Sequence, residues 1–162
     1  MSQRPFPGRL LGIDHGLKTI GLAVCDPTGL IARPLRILRR TSRQADFAQI
    51  AALIAEHNIV GVIVGLPVPP PPFAESPQAD QVRRWAARLA AALDVPVYLW
   101  NERYSSDEAL ELLTEAGRKP PRYEDAVAAA VILQSFLDAL RDEGFPWPEP
   151  VMSASEGDHQ AQ

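Results

Sequence analysis

Residues 10–24, Leu10-Leu11-Gly12-Ile13-Asp14-His15-Gly16-Leu17-Lys18-Thr19-Ile20-Gly21-Leu22-Ala23-Val24, restrict the folds open to this chain more than any other stretch. Two apolar runs flank a short polar segment containing glycine, the pattern of a strand, a tight turn and a second strand. The first run reads as a fully buried strand, yet it ends on Asp14. An aspartate is seldom fully buried without a partner that compensates its charge. Asp14 is therefore either a ligand or catalytic group, or a turn residue whose side chain bonds the backbone that follows.

The chain beyond this hairpin places Asp14 in a sheet. Asp26-Pro27-Thr28-Gly29 has the residues of a type I turn, and Ala32 to Leu38 follows as a third meander strand. From Arg43 to His57 the period changes, with Phe47, Ile50, Ala51 and Ile54 on one helical face. Ile59 to Val64 is a continuous apolar run bounded by Gly65, as in a buried parallel strand. Prolines throughout Leu66 to Pro77 exclude helix and central strand, so this segment is an exposed loop. A helix from about Gln78 to Leu93 turns Val82, Trp85, Ala86, Leu89 and Leu93 inward, and Val97 to Trp100 is a fifth strand. Ser105-Ser106-Asp107-Glu108 is a capping box that opens a helix ending near Gly117. A last helix runs from about Glu124 to Arg141. The expected fold is α/β: a five-stranded mixed sheet of order 3-2-1-4-5, flanked by helices on both faces. Strand 1 is central, and sites in such sheets form at the carboxyl ends of the parallel strands, where Asp14 lies.

With 162 residues one domain is expected: a flexible N-terminus over 1–8, the folded domain over 9–141, and an acidic, disordered tail over 142–162. The net charge of −4 resides in that tail. Residues 1–141 carry all 16 Lys and Arg against 15 Asp and Glu, so the folded part is near neutral and does not exclude nucleic acid. No apolar run approaches the ~20 residues of a membrane span, and residues 1–8 lack a secretion signal, so a cytoplasmic protein with no membrane partner is expected. The single Cys25 can form neither an internal disulfide nor a cysteine metal site.

Two further acids share the position of Asp14. Glu102 follows the fifth strand at the same sheet edge, and Asp125 heads the last helix on the stripe 125, 129, 132 and 136, which turns toward the sheet. Three carboxylates can therefore converge. Two unit charges about 4 Å apart repel by roughly 4 kcal/mol at an effective dielectric of 20, so such a cluster requires a cation or a proton. Oxygen-only ligands point to Mg²⁺ or Mn²⁺, and a pair of such ions clamps the attacking and leaving oxygens in phosphodiester cleavage. Each acid also has a plainer use: Asp125 complements a helix dipole, and Glu102 pairs with Arg103.

Five segments carry a resemblance over about residues 9 to 141: Gly12-Ile13-Asp14-His15-Gly16 with Ile20-Gly21-Leu22-Ala23; Arg33-Pro34-Leu35; Ile63-Val64-Gly65-Leu66-Pro67; Asn101-Glu102-Arg103-Tyr104-Ser105-Ser106; and Asp125-Ala126-Val127-Ala128-Ala129-Ala130-Val131-Ile132-Leu133-Gln134. In this order they resemble the YqgF family of RNase H-like proteins, described as pre-16S rRNA nucleases and as Holliday-junction resolvases. The resemblance implies a metal-dependent nuclease acting in 5′-end processing of pre-16S rRNA, with Asp14, Glu102 and Asp125 as catalytic residues and ligands of two Mg²⁺ or Mn²⁺ ions. Lys18, Arg103, Arg118, Lys119 and Arg122 would position phosphates, with RNA as the partner, structured DNA as the alternative, and a monomer or homodimer as the assembly. The chain departs from the family pattern where Asn101 replaces an aspartate, where Thr19 replaces an arginine, and where residues 68–77 are proline-rich. These departures leave two rivals open, a catalytically weakened nucleic-acid-binding module and a resolvase acting on four-way DNA.

Overall fold

The strands and helices follow the periodicities of the sequence and order themselves around β1. A computed structural model describes residues 6–67, 76–102 and 124–153. It contains β1 (Arg9–His15), β2 (Thr19–Cys25), β3 (Ala32–Arg39), α1 (Arg43–Glu56), β4 (Ile59–Leu66), α2 (Pro77–Ala92), β5 (Val97–Asn101) and α3 (Glu124–Asp142). The sheet order is β3-β2-β1-β4-β5, as expected. β1 and β2, and β2 and β3, pair antiparallel, whereas β1–β4 and β4–β5 are parallel.

Alternation along the strands divides the core into two layers. Leu11, Ile13, Ile20, Leu22, Val62 and Val64 face α1 and α2, where Phe47, Ile50, Val82, Trp85 and Leu89 bury them. Leu10, Ala23, Ile63 and Trp100 face α3, against Ala129, Leu133, Phe136 and Leu137. Gly12 lies on this second face because α3 is close: a Cβ there would stand 2.8 Å from Leu133 Cβ and 3.0 Å from the Ala129 carbonyl. Ser42 and Ser76 cap α1 and α2, accepting from the Ala45 and Ala79 N–H at 3.1 Å each.

Several expectations are corrected. Leu66 belongs to β4, not to the loop, because it pairs with Asn101 of β5 and is buried. Pro77 opens α2, a position where its missing N–H costs no helical bond. On α1, Ala51 is exposed and Leu53 is buried in its place. Asp46 is also buried there, accepting from the Thr41 backbone N–H at 3.1 Å and hydroxyl at 3.2 Å. Part of the segment read as a tail packs against the domain. Trp147 stacks on Phe6, Tyr98 and Phe136, Phe145 on Trp100, and the Val151 N–H donates to the Val97 carbonyl at 2.7 Å. Composition disguised these anchors, because two aromatics set among prolines and acids still bury apolar area. Phe6 likewise belongs to the fold rather than to a flexible start. The capping box at 105–108, the helix after it and residues 68–75 of the proline-rich segment lie outside the described residues.

Candidate active site

Asp14 is the last residue but one of β1 and continues the alternation of Leu10 and Gly12 onto the α3 face. Its ladder partner is Gly21 of β2. A Cβ on Gly21 would lie 1.9 Å from the Asp125 carbonyl oxygen, so the first turn of α3 rests directly on the β2 backbone beside Asp14. On the other side, Ile13 pairs with Val64, which brings Gly65 level with Asp14. A Cβ on Gly65 would lie 2.8 Å from Glu102 Oε1 and 2.6 Å from Ile132 Cδ1. Two missing side chains thus make the space into which Glu102 and the start of α3 converge on Asp14.

Asp14 and Glu102 are hydrogen bonded, and both are acids weakened by their setting. Burial, and then the charge of Asp125, push the Asp14 carboxyl up to about 6, while the bond from Glu102 opposes the rise. Burial raises Glu102 to about 7, and the charge of Asp14 and the bond to it add to the shift. Asp125 Oδ2 accepts from the Thr19 hydroxyl. Among the described residues no three His, Cys, Asp or Glu side chains stand close enough to hold a metal ion together. The edge therefore consists of two buried carboxyls whose charge is disfavoured and a third carboxylate within their electrostatic reach. Buried acids of like charge form a donor set that a hard divalent cation would relieve, and oxygen ligands suit Mg²⁺ or Mn²⁺.

The remaining sequence candidates divide. Lys18 is exposed in the β1–β2 turn, at the same sheet edge. Arg103, Arg118, Lys119 and Arg122 lie outside the described residues. His15 points to the other layer, where its ring is 4.6 Å from that of Trp85. Its Nε2 is buried without a hydrogen-bond partner among the described residues, and burial followed by the Arg40 charge lowers its pKa to about 4. Asn101 pairs with Leu66, whose side chain belongs to the α1–α2 layer. The position that departs from the family pattern is thus out of phase with Glu102 on β5.

Sequence reasoning missed Thr19, Gly21 and Gly65 as parts of this site. The alternation of the two strands carried a signal for the glycines, because each falls on the Asp14 face where a core side chain was due. Thr19 left none, since its partner lies 106 residues away.

Comparison with known proteins identifies the family and the fold. A family profile described as RuvX, Holliday junction resolvase, matches residues 8–139. A Syntrophus aciditrophicus protein, named as a candidate pre-16S rRNA nuclease, is 40% identical over 142 residues, covering 85% of this chain and 93% of its own. A Myxococcus xanthus protein of the same name is 43% identical over 136 residues, covering 82% of this chain and 89% of its own. Among solved structures, the Thermus thermophilus RuvC in complex with a Holliday junction substrate shares the fold, with a TM-score of 0.55, 20% identity, and coverage of 88% of this chain and 99% of that one.

Proposed function

The chain belongs to the RuvX family, and from that membership we propose that it is a divalent-metal-dependent nuclease that hydrolyses phosphodiester bonds in 5′-end maturation of pre-16S rRNA, in the cytoplasm. The resemblance read from its five motifs is borne out by that membership. The observation that carries the reading is the convergence of Asp14, Glu102 and Asp125 over Gly21 and Gly65 at the carboxyl edge of the parallel strands, where burial and like charge raise the pKa of Asp14 and Glu102. Asp14, Glu102 and Asp125 would hold two Mg²⁺ or Mn²⁺ ions, which when bound supply an activated water and charge stabilisation for the leaving oxygen.

The protein's own groups prepare that chemistry. The two carboxyls serve as ligands in their ionised form, so occupancy of the site rises with pH through their range. Thr19 keeps one Asp125 oxygen occupied and leaves the other available. Gly21 and Gly65 admit no side chain that would separate the three acids. Lys18, Arg103, Arg118, Lys119 and Arg122 would neutralise and position phosphates, a task that fixes register rather than sequence.

A second reading, cleavage of four-way DNA, is favoured by the description of the family profile and uses the same carboxylates. It predicts symmetric cuts by a dimer. Labelled precursor 16S rRNA and a four-way DNA junction, each incubated with Mg²⁺ and with Mn²⁺, decide between them. The account expects shortened RNA. Cleavage of the junction alone would transfer the activity to DNA, and a mobility shift of RNA without shortening would reduce the protein to a binding module.

A further inference from the structure

Beside Lys18, two cations that the chemistry above does not use, Arg39 and Arg43, border the carboxylates on the β3 side. Arg39 is the ladder partner of Thr19, the residue whose hydroxyl holds Asp125. Next to it, the Arg40 N–H donates to the Lys18 carbonyl at 2.9 Å, and Arg43 opens α1 immediately after the Ser42 cap. Lys18, Arg39 and Arg43 are exposed, and none of them forms an ion pair among the described residues. Arg40 has a different task, since its Nη1 donates to the Gly16 carbonyl at 2.8 Å and the Leu17 carbonyl at 3.3 Å, clamping the β1–β2 turn.

The position of these charges is not explained by the fold. A cation in the first turn of a helix opposes the helix dipole, so Arg43 does nothing for α1. Charge on an edge strand commonly blocks pairing with another sheet, which accounts for Arg33 and Arg36 along β3. That use does not extend to Arg43, which is on a helix, or to Lys18, which is in a turn. What the three share is the carboxylate edge, where an acidic site would repel a polyanion unless cations beside it offset the repulsion.

We propose that Lys18, Arg39 and Arg43 form a phosphate-binding rim that carries the RNA strand past the β3 side of Asp125. The proposal rests on the nuclease reading and extends its substrate path beyond Lys18 to the β3 side of the sheet edge. The full chain carrying Asp14→Asn, so that substrate is bound and not cut, is titrated with a fluorescent RNA stem-loop between 50 and 200 mM salt. Arg39→Gln with Arg43→Gln should reduce the slope of log affinity against log salt by about 1 per arginine. Arg84→Gln, on the exposed side of α2, should leave the slope unchanged, and Arg39→Lys with Arg43→Lys should restore it. Thermal melts of the variants should coincide, since all these side chains are exposed. An unchanged slope in the double Gln variant, with RNA still bound, overturns the rim and leaves the nuclease reading standing. Failure of the Asp14→Asn protein itself to bind RNA overturns the nuclease reading. A slope change on a four-way DNA junction and none on RNA overturns the assignment to RNA.

Discussion

At the scale of single residues the site is a problem of charge, and its titration follows from burial. Asp14 and Glu102 hold their protons more tightly in the folded chain than in the unfolded one. Between about pH 4 and pH 7 the folded state therefore retains protons that the unfolded state has lost, and stability from this pair falls as pH rises through that window. In chelator, Asp14→Asn should gain melting temperature on the wild type between pH 5 and pH 8, and a pH-independent difference would contradict the assignment. Thr19 supports Asp125 from outside the ligand set. Thr19→Val should weaken Mn²⁺ binding about 10–100-fold, measured calorimetrically without substrate, while Thr19→Ser keeps it near wild type. Asp14, Glu102 and Asp125 were visible in the sequence because each interrupts a periodic pattern at a strand end or helix start. The Thr19–Asp125 bond was not, because only the register of β2 under α3 creates it.

At the scale of elements, the approach of α3 to the sheet determines whether the carboxylates meet. The backbone carbonyl of Asp125 occupies the space above Gly21, and a carbonyl within a helix cannot turn aside as a side chain can. Gly21→Ala should therefore displace the start of α3, destabilising the protein by about 1–3 kcal/mol and removing activity beyond what the stability loss explains. Thermal melts and cleavage rates on the same preparation check this, and wild-type activity in Gly21→Ala would refute it. The sheet order was legible because turn chemistry fixed the meander and short apolar runs marked β4 and β5. Element ends were less so: β4 extends through Leu66 because its partner β5 continues to Asn101, a fact of pairing rather than of propensity.

At the scale of the whole molecule, the chain wraps its N-terminal and C-terminal segments around the end of the sheet away from the carboxylates. Phe6, Tyr98, Leu137, Phe145 and Trp147 line a groove of about 920 Å³ there. Composition alone predicted a loose tail, since prolines and acids outnumber its anchors, yet Trp147 stacks on three rings. Trp147→Ala should cost about 2 kcal/mol in denaturant unfolding, less than a fully buried tryptophan because the residue is 39% exposed, and leave RNA cleavage rates intact below the melting range. No helix among the described residues is long and apolar enough to cross a membrane. A strand end, a helix start and a glycine-lined gap bring together the carboxylates proposed above to cut a phosphodiester. The measurement that tests this proposal most directly is cleavage of labelled precursor 16S rRNA by wild type and Asp14→Asn in Mn²⁺, with RNA affinity and melting temperature followed in parallel. The account predicts no product from Asp14→Asn with folding and binding retained. Cleavage at the wild-type rate would contradict it.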